Sequence, residues 1–108
     1  MKLVAQHVAH DTDDCTFELD EYRDDEGHQM LLAHLKVHHW SKEALKRIYR
    51  DWKTFRQHIT APLYATPMVD DEKWRKFVTL MGWRPTGQRV LCHDGIERPL
   101  YIHIVNAR

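Results

Sequence analysis

Three closely spaced histidines, His34, His38 and His39, are the side chains whose chemistry first needs an explanation. An imidazole can ligate a metal ion or move a proton near neutral pH. If the segment is a strand, His34 and His38 share one face and His39 points to the other, so the three cannot converge. A third metal ligand would have to come from Glu18 or Asp20 on a neighbouring strand. We therefore predict no metal site and interpret the histidines as part of a solvated face with carboxylate–imidazole pairs across strands.

A run of basic side chains follows the histidines and could contact a phosphate group or the backbone of a nucleic acid. The chain has 16 Lys and Arg residues against 16 Asp and Glu residues, so no net charge attracts nucleic acid or a membrane surface. Glu43 can pair with Lys46 and Arg47 one helical turn later, which is typical of a solvated helix face. A nucleic-acid contact through the basic helix 41–58 is the weaker alternative. The basic residues are Lys42, Lys46, Arg47, Arg50, Lys53 and Arg56.

Alternating apolar and polar residues predict the strands that must position these side chains. The clearest alternation runs over residues 15–22, and Asp-Gly at 94–95 between two apolar runs predicts a hairpin. Pro62 and Pro67 limit the pairing expected at the ends of the strand between them. The predicted strands are residues 2–9 (a weak pattern), 15–22, 29–39, 63–68, 88–92 and 96–105.

Two segments with apolar residues three and four positions apart predict helices. The first covers residues 41–58 and begins at Ser41, a good N-cap residue. The second covers residues 70–81, and its acidic first turn suits the helix dipole. Gly82 stands where a left-handed C-terminal cap is expected, with Trp83 able to pack back on the last turn. The first apolar stripe consists of Leu45, Ile48, Trp52, Phe55 and Ile59, and the second of Trp74, Phe77, Val78 and Met81.

The length of the chain fits one domain, residues 1–108, in which residues 1–14 form a weak strand or arm. Three strands, a helix, a strand, a helix and two strands predict an α/β (α+β) fold with a mixed, mostly antiparallel central sheet and two helices. Cys15 and Cys92 match no metal or redox spacing. Without a long apolar run or the apolar core of a signal peptide, we expect no membrane association and a cytoplasmic location.

The segment DDEKWRKFVTLMGWRPTG, read together with this order of elements, resembles the C-terminal two thirds of the GNAT acyltransferase superfamily. In that family a β-hairpin leads to a helix, a strand, a helix ending in a Gly-aromatic pair, and a closing hairpin. The resemblance covers roughly residues 15–105 and extends to small GNAT-like proteins of phages and prophages. The matching residues are Phe77, Leu80, Gly82, Trp83 and Gly87.

The chain departs from the family's pattern in three places. Only the residues before Cys15 stand where the family has a strand and one or two substrate-binding helices. The turn that binds the coenzyme A pyrophosphate is glycine-rich in the family, whereas residues 37–42 contain no glycine and include Trp40. Val78 stands where many members have a tyrosine general acid, and Asp71 where an asparagine is common. These departures imply a member without acetyl transfer.

The resemblance with its departures leads us to expect a phage- or prophage-type GNAT-like protein that acts as a binding or assembly component. We expect no cofactor for such a protein. Its partner would be another protein or a second copy of the chain, because the missing N-terminal helices leave a sheet edge or face uncovered. If the gene belongs to a phage, the location would be the cytoplasm of the host cell.

The alternative is a divergent acyl-CoA-dependent N-acyltransferase, with acetyl-CoA or CoA as its cofactor. The strand at 63–68 would then splay from its neighbour to admit the pantetheine arm, and His34 or His38 would deprotonate an amine. Positioning would supply most of the catalysis, because a thioester is already activated. The residues that would hold the cofactor are His39, Trp40, Ser41, Lys42 and Lys46.

Overall fold

The computed structural model describes residues 2–67, 71–92 and 94–104 and shows an α+β fold, with a six-stranded, mostly antiparallel sheet and two helices. The predicted fold class is confirmed. Neither described helix is long and apolar enough to cross a membrane. The elements are β1 (Lys2–Asp11), β2 (Cys15–Arg23), β3 (Gln29–Val37), α1 (Lys42–Gln57), β4 (Leu63–Ala65), α2 (Glu72–Leu80), β5 (Arg84–Leu91) and β6 (Glu97–His103).

The strands lie in the order β1-β2-β3-β4-β6-β5, so the sheet has two antiparallel parts that meet at one parallel pair. The first part is the meander β1-β2-β3, and the second joins β4 to the hairpin β5-β6. The parallel pair β3–β4, connected through α1, is short and consists of Leu31 beside Leu63 and Leu32 beside Tyr64.

The core joins both helices to alternate residues of the strands. Cys15, Phe17 and Leu19 are buried along one face of β2, as the alternation predicts. On α1, Ile48 and Trp52 are buried at the centre of the predicted apolar stripe. From α2 and the residues after it, the core takes Phe77, Val78, Met81 and Trp83.

Helix α1 begins as its sequence predicts. Ser41 has an extended backbone, and its hydroxyl accepts a hydrogen bond from the Ala44 N–H at 3.0 Å. This bond satisfies one of the backbone donors left free at the start of a helix.

Helix α2 ends in a Schellman motif around Gly82. The Trp83 N–H bonds to the Val78 carbonyl at 2.9 Å, and the Gly82 N–H bonds to the Thr79 carbonyl at 3.1 Å. Gly82 has φ +94°, and a Cβ added there would lie 2.9 Å from His103 Nε2. The Gly-aromatic pair is therefore required both by backbone conformation and by close packing against β6.

Several strand boundaries differ from the prediction. β1 is a full ten-residue strand rather than a weak arm, because it pairs with β2 along its length. β3 ends at Val37 rather than residue 39, and the His38 N–H makes a last in-register bond to the Asp14 carbonyl at 2.8 Å. β5 begins at Arg84 rather than residue 88. Its pairing with β6 is irregular between Pro85 and Arg89, which accommodates the Pro-Thr-Gly segment within the strand. β4 ends at Ala65 and β6 at His103; the predicted positions 68, 70 and 105 lie outside the described residues.

Candidate functional site

A cavity of about 430 Å³ opens where β3 and β4 stop pairing; we call it the strand cleft. The two strands pair only at Leu31 and Leu32 of β3, after which β3 continues to Val37 and β4 ends at Ala65. Beyond Leu32, this side of β3 has no strand beside it in the part of the chain that the structure describes. The cleft is therefore bordered by a free strand edge, whose backbone groups can bond an extended ligand.

The walls of the strand cleft are mainly apolar and aromatic. Both helices contribute to them, and Trp83 and Tyr101 come from the segment after α2 and from β6. Such a lining suits an extended ligand with few charges. The helical residues in the walls are Trp52, Phe55, Trp74, Phe77, Val78 and Met81.

The strand cleft reaches both faces of the sheet. Ala33, His34, Leu35 and Lys36, four consecutive residues of β3, all line it. Successive side chains of a strand point to opposite faces, so a cavity touching all four passes through the gap between the strands. Its helix side is apolar, and its other side carries polar groups.

The polar side of the cleft contains two ion pairs across β2 and β3. His34 Nε2 lies 2.8 Å from Asp20 Oδ2, and Lys36 Nζ lies 3.2 Å from Glu18 Oε1. Asp20 is buried and His34 half-buried. A carboxylate on one ring nitrogen fixes the orientation of the imidazole, as in many general bases. The prediction of carboxylate–imidazole pairs on this face is confirmed for His34.

The other two histidines do not join His34. His38 lies one residue beyond the end of β3, and its Nε2 is 2.8 Å from Thr16 Oγ1. Thr16 is on the face that carries Glu18 and His34, so His38 shares this face with His34 as predicted but bonds a different partner. His39 Nε2 lies 2.9 Å from Asp14 Oδ1. In the described part of the chain, no group of three or more His, Cys, Asp or Glu side chains could hold a metal ion.

Asp14 holds the turn before α1. Arg47 donates to it through Nε at 2.7 Å and through Nη2 at 2.9 Å. The bidentate bond from Arg47 is the main cause that lowers the pKa of Asp14, and His39 adds to it. Arg47 therefore pairs with the loop before β2 rather than serving a solvated face or a ligand.

The five residues predicted to hold a cofactor do not form one pocket. His39 pairs with Asp14, and the Ser41 hydroxyl caps α1. Trp40 contacts Phe77 edge-on, with ring centroids 5.3 Å apart, and Lys73 Nζ lies 4.3 Å from the Trp40 ring centre. Because Phe77 lines the strand cleft, the Trp40 ring stands between the turn before α1 and the cleft.

The remaining two predicted cofactor residues, Lys42 and Lys46, are exposed, and no ion pair joins either of them to another described residue. The basic face of α1 is smaller than predicted. Arg56 is buried, and Arg47 is held by Asp14. A nucleic-acid contact would rest on fewer cations than the sequence suggests.

Tyr101 is a cleft residue that the sequence did not indicate. It is half-buried on β6, opposite Ala65 of β4, and its ring meets Trp74 of α2 edge-on at 5.4 Å. The alternation of β6 predicts which residues share its face, but only the pairing of β4 with β6 brings it to the cleft.

No family model, curated protein or solved structure matches the chain. The functional assignment therefore depends on the geometry of the strand cleft and on the resemblance described above.

Proposed function

We propose that this chain is a GNAT-like binding domain that holds an extended, mainly apolar ligand in the strand cleft and does not transfer acetyl groups. The observation that carries the proposal is Val78. It is buried and lines the cleft, and by the resemblance it stands where the family has a tyrosine acid. A cavity is present, but Val78 contributes methyl groups to its wall and not a proton donor.

The divergence of β3 and β4 supports the GNAT-like part of the proposal. The resemblance implies a strand that splays from its neighbour beside the ligand, and the pairing of β4 with β3 ends after Leu32 and Tyr64. The order of the eight elements and the Gly-aromatic turn after α2 agree with the same pattern.

The turn before α1 supports the absence of a nucleotide site. Close approach of a pyrophosphate to backbone amides needs small residues, and here Trp40 packs over Phe77 beside the cleft. His39 and Arg47 are both bonded to Asp14. A ligand bound without this turn would not need a nucleotide, so we propose a binding component without a cofactor. Its proposed location is the cytoplasm, as expected from the sequence.

The test compares two probes by titration while tryptophan emission is followed, since Trp52, Trp74 and Trp83 line the cleft. S-Acetylpantetheine is the apolar arm alone, and acetyl-CoA adds the nucleotide phosphates. We expect similar dissociation constants for both probes, because the phosphates find no site. Ala33→Phe should fill the cleft and abolish the emission change, whereas Ala9→Phe, at an exposed position of β1, should not. No emission change with either probe at millimolar concentration would reject the proposal.

The pair Asp20–His34 favours a second candidate, a divergent acyl-CoA-dependent N-acyltransferase. A fixed imidazole on the polar side of the cleft could take a proton from an amine, and the Tyr101 hydroxyl stands in the same cavity. This reading predicts release of free CoA from acetyl-CoA in the presence of an amine, and its loss in His34→Gln. It also predicts that Ser41→Pro with Lys42→Glu abolishes CoA binding. Turnover above background that depends on His34 would replace the first proposal with this one.

A further inference from the structure

The two edges of the sheet differ in how they are protected against pairing with another strand. The β5 edge contains Pro85 and two arginines. The β1 edge is ten residues long, and from Leu3 to Ala9 it has no proline and no Lys, Arg, Asp or Glu. Edge strands of natural sheets are usually short, charged, covered or broken by proline. β1 is therefore the edge that is open to pairing.

β1 exposes three large apolar side chains. Leu3, Val4 and Val8 are 44%, 50% and 66% exposed, in a strand whose remaining central residues are Ala, Gln and His. Val4, Gln6 and Val8 are two residues apart, so the two valines are placed symmetrically about Gln6.

We propose that β1 pairs antiparallel with β1 of a second copy of this chain, so that one continuous sheet runs through both copies. A two-fold axis normal to an antiparallel sheet must place one residue opposite its own copy. With Gln6 on the axis, Val4 lies opposite Val8 of the partner subunit. A glutamine amide has both donors and an acceptor, so the two Gln6 side chains can bond each other.

The charges at the ends of β1 favour a second copy over a different partner. Lys2 and Asp11 are the charged residues of the strand, and they stand at its opposite ends. Antiparallel self-pairing brings the Lys2 end of each strand close to the Asp11 end of the other, so the end charges of the two strands attract rather than repel each other.

The pairing register of β1 with β2 restricts the backbone bonds of this interface. Irregularities fall between Leu3 and Ala5 and between Val8 and His10, which leaves Ala5–Val8 as the regular segment. Bulges bend a strand and increase its twist. The backbone contact therefore falls on this segment, with Gln6 inside it, Val8 at its end and Val4 just before it.

Sedimentation velocity over a concentration series tests the proposal. Wild-type protein should show a monomer–dimer equilibrium. Val4→Lys combined with Val8→Lys places like charges opposite each other and should weaken the dimer about tenfold or more. Leu91→Lys is the matched control, since Leu91 is 75% exposed on the β5 edge and should leave the equilibrium unchanged. A monomer at every concentration, or a dimer that tolerates both lysines, would overturn the proposal.

A cross-link tests the register without weakening the contact. In a Cys92→Ser background, Gln6→Cys puts two thiols opposite each other across the axis, within the Cα separation that a disulfide spans. Oxidation should give a covalent dimer on a non-reducing gel. The same change at Gln88, on the β5 edge, should give none. Equal cross-linking at both edges would show random collision and would also overturn the proposal.

Discussion

Helix α1 is fastened at its two ends by polar groups of different kinds. Near its start, Asp14 is a carboxylate bonded by Arg47 and His39. Near its end, Arg56 is buried, and no described carboxylate pairs with it. His103 and backbone carbonyls accept its hydrogen bonds. The first is an ion pair at the surface of the core, and the second is a charge held by dipoles alone. We call them the Asp14 node and the Arg56 node.

The difference shows that a buried charge is fixed by geometry rather than by an opposite charge. Arg56 Nε donates to His103 Nδ1 at 2.8 Å, and Arg56 reaches the carbonyls of Ile59, Ala61 and His103 at 2.6, 2.8 and 3.0 Å. Since Arg can only donate, His103 Nδ1 carries no proton, and its Nε2–H donates to the Met81 carbonyl at 3.1 Å. Four of the five N–H donors of Arg56 have an acceptor, so the Arg56 node tolerates little change.

The largest effect should come from Arg56→Met. The variant removes four hydrogen bonds and leaves buried carbonyls and an imidazole without donors, which should lower the free energy of unfolding by roughly 3 kcal/mol. Chemical denaturation followed by circular dichroism measures the loss. Arg47→Met is the matched variant at the Asp14 node and should cost clearly less, because that side chain is exposed and water can replace it. Equal losses for the two variants would contradict the comparison.

The second effect concerns Gly82, which lets α2 turn beside His103. Gly82→Ala meets a backbone with φ +94° and places a Cβ 2.9 Å from His103 Nε2. We expect a loss of about 1–3 kcal/mol from the conformational strain, with the displacement of His103 adding to it. Gly87→Ala has a similar φ but open space, and it should lose less in the same denaturation experiment. A loss at Gly87 as large as that at Gly82 would show that the contact with His103 is unimportant.

The third prediction concerns the pH dependence of the stability that the Arg56 node provides. Burial, and next the charge of Arg56, lower the pKa of His103 from its usual 6.5. As the pH falls, His103 is therefore protonated in the unfolded chain before it is protonated in the folded protein. The stability due to neutral His103 is complete above pH 6.5 and is lost as the pH falls through the lower pKa of the folded state. His103→Gln should flatten the dependence of stability on pH in this range, measured by thermal unfolding from pH 7.5 to 5. An unchanged slope would mean that His103 does not titrate differently on folding.

The smallest effect should come from Asp14→Asn. The pKa of Asp14 is lowered from 3.8, chiefly by Arg47, so the stability due to its charge is present above pH 3.8 and is lost below it. The variant should unfold at a slightly lower temperature than wild type at pH 7, and the difference should shrink as the pH falls through the lowered pKa of Asp14. The reverse order, with the larger difference in acid, would contradict the assignment of the Asp14 node.

The sequence predicted elements whose signals are local, and it missed what depends on distant partners. The stripe on α1, the Ser41 cap and the Gly82 turn follow from spacing within one segment. Arg56 was expected on a solvated face, and nothing near it in sequence indicates that its acceptor His103 lies 47 residues away. β1 had only a weak pattern because an edge strand needs little burial.

The same distinction applies to the strand cleft. The pairing of His34 with a carboxylate followed from alternation on two adjacent strands. A splay of the strand after Pro62 was expected only for an acyltransferase, and the pairing of β4 with β3 does end after two residue pairs, beside a cavity lined by the apolar Val78. Tyr101 could not be placed because its position depends on which strand β6 joins.

The short parallel contact between β3 and β4 has a consequence for how the chain folds. The meander β1-β2-β3 consists of neighbouring hairpins, so its contacts close short loops and can form quickly. The parallel pair β3–β4 can form only after α1 has brought the two halves of the sheet together, and it adds only two residue pairs to the sheet. Amide hydrogens at this seam should therefore exchange with solvent before those at the centre of β2. The two halves of the sheet would behave as separately cooperative units joined by a weak seam, and the strand cleft lies on that seam.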